Sequence, residues 1–330
     1  MMRGLLAFVL GLGILWGGYW FVGSAAIENR AEAWFSQQSA MGRVAEHDSL
    51  VVRGFPNRFD LTVNGLHLAD PRSGWGWDAP FVQIFAMTWK PWHLIAAFPP
   101  NQVFVSPFET LTVGSDRLMA SLVLHPGPDL ALDRTVVEGE GLKISSDAGW
   151  TASLEKFVAS TAEDTSQKNA HRIGLNLSHL GIDPSIAAAL PDLGADVALV
   201  NLDATVHLSE PLDRHTRNAR PDVAGVTLSA ARVDWGVLHV SAQGQVKADA
   251  DGYAEGKIVF RIEQWQQVPN LLLVIGAIAP SRMETVMKAM EFMAKFGKDP
   301  DVLELPLTFK AGNMALGPMP IGPAPKLYRQ

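Results

Sequence analysis

No cysteine occurs in the 330 residues. Disulfides, thiol nucleophiles, redox pairs and cysteine-based zinc sites are therefore excluded, and any part of the chain outside the cytoplasm must rely on its core. Basic charge is also scarce: 27 Lys and Arg stand against 34 Asp and Glu, a net charge of −7. That argues against nucleic acid as a partner, which needs a basic stripe, and against a polybasic clamp on anionic lipid. The chain contains no G-x-S-x-G, H-E-x-x-H, P-loop or G-x-G-x-x-G pattern, the spacings that would mark a nucleophile elbow, a zinc protease or a phosphate cradle. The expectation is a protein that is not an enzyme and uses no cofactor.

What the chain does have is one long uncharged run, from Gly4 to Ile27. At 1.5 Å per residue this makes roughly 36 Å of helix, enough to cross a hydrocarbon core of about 30 Å with some tilt. Arg3 precedes the run, and Glu28 and Glu32 follow it. This positive-inside bias puts the N-terminus in the cytoplasm and the bulk of the chain outside. Trp16, Tyr19, Trp20 and Phe21 cluster toward the outer end, where amphipathic rings suit the headgroup level. Two readings stay open. Ser24-Ala25-Ala26 resembles a signal-peptidase site, but the run exceeds the apolar core of about 7–15 residues usual in secretory signals. An uncleaved transmembrane anchor over residues 1–27 is the preferred expectation. A juxtamembrane helix over 28–40 follows, since Ile27, Ala31, Trp34 and Phe35 keep helical spacing.

Beyond residue 40 strand signals dominate. Phe59, Leu61 and Val63 alternate with polar residues, and Asn64-Gly65 offers a turn before Leu66-His67-Leu68. Phe81 to Trp89 is apolar on both alternating faces, and short strands follow over 118–124, 135–137, 142–145 and 150–158. Such close spacing favours antiparallel neighbours over helical crossovers. The polar stretch Ser160–Ala170 is the candidate boundary between a first β-rich half, 41–160, and a second, 171–330. In the second half a short helix is expected over 185–190. A meander then runs over 226–262, with Asp251-Gly252 as a hairpin turn. Two helices are expected late, near 270–278 and 281–297, the second opened by a Ser281/Glu284 capping box. The fold class is thus an N-terminal transmembrane helix plus a mainly-β (α+β) extracytoplasmic domain. Its curved antiparallel sheets would carry the late helix pair on one face or end.

Few side chains suggest chemistry. Asp249-Ala250-Asp251-Gly252 has the outline of a calcium loop, but Lys247 and Ile258 occupy positions where ligands belong, so a hairpin tip is expected. His207, Asp213 and His215 offer zinc-type donors at a spacing that matches no metal motif. Arg214, Arg217 and Arg220 suit an anionic headgroup or simply a polar loop. Two indoles, Trp75 and Trp77, lie in a glycine-rich connection and are candidate contacts for an apolar ligand or a membrane, or covers for the end of a sheet. Met283, Met287, Met290 and Met293 form a stripe on the late helix. Methionine adapts to acyl chains, yet such a stripe also serves to pack on a sheet.

Three segments together resemble a known family: Arg53-Gly54-Phe55-Pro56-Asn57-Arg58-Phe59-Asp60-Leu61, Trp235 to Val240 running on through Gly252-Tyr253-Ala254-Glu255-Gly256, and Leu316-Gly317-Pro318-Met319-Pro320. With the N-terminal run they resemble the bacterial family catalogued as domain of unknown function 2125, found mainly in alphaproteobacteria. That resemblance implies an anchored envelope protein and brings no functional residues with it. The strand–glycine rhythm and the Leu-Gly-Pro-x-Pro ending are also similar, more distantly, to AsmA-like envelope proteins. That likeness implies sheets curled into grooves that hold or pass lipid. The expectation is a single-pass protein of the bacterial inner membrane, with the bulk of the chain in the periplasm. Its role would be envelope maintenance by binding lipid in an apolar groove between the sheet and the late helices. A scaffold that binds another envelope protein is the alternative, and a periplasmic hydrolase with an unrecognised site is the third.

Overall fold

A computed structural model describes residues 2–216, 220–295, 297 and 299–328. Helix α1 (Met2–Ala40) runs without a break through the apolar stretch and the expected juxtamembrane segment, and it is long and apolar enough to cross a membrane. Almost everything after it is antiparallel sheet. The chain divides into two compact units, Met1–Pro126 with Val137–Trp150, and Gly127–Val136 with Thr151–Gln330.

In the first unit α1 is followed by β1 (Val44–Glu46), β2 (Ser49–Arg53), β3 (Arg58–Asp70), β4 (Trp75–Met87), β5 (Lys90–Ala97), β6 (Asn101–Val105), β7 (Thr110–Gly114) and β8 (Arg117–Leu124). Part of β9 (Leu132–Ser146) completes it. The long strand β3 is central, paired on one side with β1 and β2 in turn and on the other with β4. The expected turn at Asn64-Gly65 is absent, and β3 runs straight through it. Gly65 adopts φ +60 there, and the Asp48 carboxylate fills the space where a Cβ would stand. The glycine thus admits the break between β1 and β2 on the neighbouring edge, where Asp48 N–H donates to Asn64 O at 2.8 Å. The core between α1 and this sheet holds Phe35, Ala45, Val63, Leu66, Ala79 and Val82.

The second unit is a meander. Strands β10 (Thr151–Glu163), β11 (Ala170–Gly181), β12 (Asp196–Leu208), β13 (Val223–Trp235), β14 (Leu238–Ala248), β15 (Ala254–Glu263), β16 (Val302–Lys310), β17 (Asn313–Leu316) and β18 (Met319–Pro323) each pair antiparallel with the next. The stretch Ser160–Ala170 is therefore no boundary but the β10–β11 hairpin. Asp164 closes its turn by accepting from Ser166 N–H (3.0 Å) and the Gln167 amide (2.9 Å), so polar composition there reflects turn chemistry. Asp251-Gly252 does form a hairpin turn, with Gly252 at φ +82. The Asp249 carboxylate is spent on the backbone N–H groups of Asp251 and Tyr253. Helix α2 (Pro184–Ala189) is capped by Asp183.

The late helix pair is α3 (Val268–Val274) and α4 (Met283–Ala294). The capping box is not made. Ser281 lies in a preceding 3-10 turn, and the residue before α4 is Arg282 with no side-chain cap. The pair covers a face on which strand residues two apart point inward: Leu238 and Val240, Phe260 and Ile262, Leu303 and Leu305. Two buried indoles here satisfy their N–H groups on backbone, Trp235 on Gly194 O and Trp265 on Pro300 O.

His171, at the start of β11, is buried, and its Nδ1 has no hydrogen-bond partner. Burial lowers its pKa, with Glu163 opposing. A histidine whose folded pKa lies below its unfolded value takes up protons on unfolding, so stability declines as pH falls through the unfolded value of about 6.5. The urea midpoint of the full chain in detergent is expected to fall between about pH 8 and pH 5, and to fall less in His171→Gln. An equal fall in both would show that His171 does not contribute.

Candidate functional site

An apolar hollow lies in the first unit, where the far end of α1 meets β1, β3 and β4. Its volume is about 290 Å³, and Trp34, Gln38, Arg43, Val44, Ala45, Leu68, Ala69, Asp70, Trp75, Gly76 and Trp77 line it. The local sequence builds it simply. Asp70 O accepts from Ser73 N–H (3.1 Å) and Gly74 N–H (2.8 Å), and Gly74 at φ +73 turns the chain into β4. In the β3–β4 register Trp75 faces Asp70 and Trp77 faces Leu68, so the two indoles, two residues apart, share one face. The glycine-rich segment is thus the opening of a strand rather than a free connection.

The three tryptophans are held differently. The Trp77 ring lies parallel to Phe104 at 6.0 Å, and its N–H donates to the buried Gln102 Oε1 at 3.1 Å. Trp34 stands edge-on to Phe35 at 5.0 Å. Trp75 is 59% exposed. At the rim, Arg43 donates to Gln38 Oε1 (2.7 Å) and Asp70 Oδ2 (3.2 Å), while Arg72 donates to Met41 O at 3.0 Å. The Arg72 backbone N–H, followed by Arg43, holds the Asp70 carboxyl below the usual carboxylate range. The lining offers an apolar floor, a charged rim and one carboxylate already engaged. It contains no serine, threonine or histidine. Such a site can hold an apolar group.

A family model described as "Uncharacterized protein conserved in bacteria (DUF2125)" matches residues 20–325. The chain belongs to this family. No curated protein and no solved structure matches it. The DUF2125 match begins inside the apolar run and contains every residue that lines the hollow.

The methionine stripe lies elsewhere, in the second unit. Met290 is buried in the core, Met287 and Met293 pack against that core, and Met283 is half-buried at the start of α4. Met287, Met290 and Met293 join the packed core between the sheet and the late helices, because a helix face at this spacing meets the inward rows of β14, β15 and β16. Among the described residues no three His, Asp or Glu side chains gather as a metal site. Asp213 instead accepts from His215 N–H at 2.7 Å, and His207 approaches Thr227 at 3.5 Å. Arg214 lies 3.4 Å from His215, while Arg217 falls outside the described residues. A second hollow, about 220 Å³, is lined by Arg232, Asp234, His239, Val240, Ser241 and Glu263. His239 Nδ1 lies 2.8 Å from Asp234, which also accepts from Arg232 at 2.7 Å.

Sequence reasoning reached Trp75 and Trp77 but missed Trp34, Gln38, Arg43 and Asp70 as members of the same site. The available signal was the helical face continuing past the apolar run, since Phe35 and Gln38 both turn out buried.

Proposed function

We propose that the protein is anchored by α1 in a bacterial inner membrane, carries its β units on the periplasmic side, and binds the acyl chain of a lipid in the tryptophan-lined hollow. It acts as a binding protein of the cell envelope, not as an enzyme. The observation that carries this reading is the placement of an apolar hollow on the same helix as the apolar run. Trp34 and Gln38 follow Ile27 by seven and eleven residues, about 10–16 Å of helix rise. An acyl chain leaving the outer leaflet would meet the hollow just above the headgroups, with Arg43 at its mouth for an anionic headgroup. The volume lies near the lower end of ligand sites, which suits part of one chain and not a whole lipid.

Retention of the helix is supported by its packing. Trp20 lies before the candidate cleavage site, is buried, and forms a core cluster with Val52 and Phe59. Removing residues before Ile27 would take this cluster apart.

Native mass spectrometry of the full chain in detergent tests the binding. Wild-type protein is expected to carry lipid, and Trp75→Glu to lose it, because the exposed indole can be replaced without disturbing the core. Lipid-free wild type, or equal lipid on the variant, would overturn the reading and leave the scaffold role in its place.

A further inference from the structure

Two β-hairpin tips lie against α1 within its apolar run. One, between β2 and β3, is Gly54-Phe55-Pro56-Asn57; the other, between β4 and β5, is Thr88-Trp89. Phe21 stacks on Phe55 at 5.5 Å, and Trp20 meets the same ring edge-on at 5.4 Å. A Cβ on Gly17 would sit 3.8 Å from Phe55. These contacts place the tips beside residues 16–21, not beyond the end of the run. A hydrocarbon core entered at Gly4 is crossed after about 20 residues, near Ser24. The tips therefore sit beside helix residues some 5–12 Å inside its outer boundary.

Irregular backbone at that depth is tolerated only if its polar groups find partners within the protein. Several of them do so here through α1 and through each other. The helix donates Trp16 Nε1–H to Pro56 O (3.0 Å), Tyr19 O–H to Thr88 O (2.8 Å) and Trp20 Nε1–H to Arg58 O (2.7 Å). The tips serve each other as well, through Thr88 N–H to Asn57 O at 3.0 Å, while Asn57 and Arg58 N–H both donate to Gly54 O. Pro56 has no N–H to satisfy. Interfacial Trp and Tyr ordinarily turn their polar ends to water; three in a row here turn them onto hairpin carbonyls. The exposed apolar side chains at the tips are Phe55 (56%), Trp89 (55%) and Met87 (43%), and the exposed Asn57 and Arg58 lie beside them, Arg58 paired with Asp60 at 2.7 Å. Arg53 and Lys90, on a chain of net charge −7, end the adjoining strands, where long cationic stems can reach lipid phosphates.

We infer that both hairpin tips are embedded in the outer leaflet beside α1, so that the first unit is held on the membrane by three elements instead of a single helix. This rests on the anchor reading of α1 and adds to it a fixed height and orientation of the hollow above the lipid. A lone helix would let the domain swivel; a helix with two tips does not.

The absence of native cysteine makes the test direct. Single cysteines at Leu10, Phe55 and Trp89, with Thr112→Cys on β7 as a control, are labelled with an environment-sensitive fluorophore. The full chain is then placed in nanodiscs of zwitterionic and anionic lipid carrying spin labels at defined depths. Blue-shifted emission at positions 55 and 89, quenched most by labels high on the acyl chain, is expected. Leu10 should be quenched by labels deep in the chain, and position 112 by neither. Trp89→Cys removes only an exposed ring and keeps the test alive if Phe55→Cys disturbs packing. Water-like emission at the tips with Leu10 in the bilayer would overturn the embedding and leave the anchor standing. Leu10 in water would overturn both.

Discussion

Protein extracted from membranes is expected to keep the residues before Ile27, and Leu10→Arg is expected to lower the equilibrium constant for membrane insertion by about a hundredfold and so reduce its integrated fraction. A central arginine costs about 2.5–3.5 kcal/mol on insertion, and each 1.4 kcal/mol is about a factor of ten. Retention follows from the packing. Trp20 is 7% exposed within the Val52–Phe59 cluster, a Cβ at Gly23 would press on the Phe59 ring, and Val52 N–H donates to Glu28 Oε1 at 2.8 Å. The sheet thus grips the helix on both sides of Ser24-Ala25-Ala26. Intact mass of the purified chain and carbonate extraction of Leu10→Arg membranes are the measurements. A mature N-terminus at Ile27, or wild-type integration of the variant, would refute the expectation.

In the second unit, Met290→Asp is expected to destabilise the fold by at least about 3 kcal/mol, combining the loss of a buried side chain with an unpaired carboxyl in an apolar site. Met290 is 6% exposed in a cluster with Leu303, Leu305, Ile262 and Trp265. Met290→Leu, which conserves volume, should change stability by less than about 1.5 kcal/mol. Met287→Asp, on the half-buried neighbour, should fall between the two. Urea unfolding of the three variants in detergent gives the order. A tolerated Met290→Asp would mean that α4 is not seated on the sheet, and the methionine stripe would again be available to a ligand.

Much of the architecture was legible because it rests on short-range periodicity. The apolar run, its helical continuation to residue 40, the alternating strands and the late helix pair all follow from spacings of two or about 3.6 residues. Errors came where one residue type serves two geometries. Asn64-Gly65 has turn chemistry, yet Gly65 uses its positive φ to carry β3 past a break in the neighbouring edge. Ser160–Ala170 has linker composition, yet it closes a hairpin. Ser281 and Glu284 have capping-box spacing, yet a 3-10 turn precedes the helix and leaves the serine out of position.

The candidate site was legible only in part, for a related reason. Trp75 and Trp77 stood out by type, but their partners come from α1 and β1, 30 or more residues earlier, and from β3 across a tight turn, and packing and pairing register bring them together. By itself the sequence determined the cysteine-free composition, the single membrane-length run and the β-rich class, since each depends on composition or on neighbours a few residues apart. The tertiary structure decided which apolar residues close a core and which line an open hollow. It also decided that Trp16, Tyr19 and Trp20 hold hairpin carbonyls. Burial and hydrogen-bond partners are properties of segments brought together from far along the chain, and no local pattern records which segments will meet.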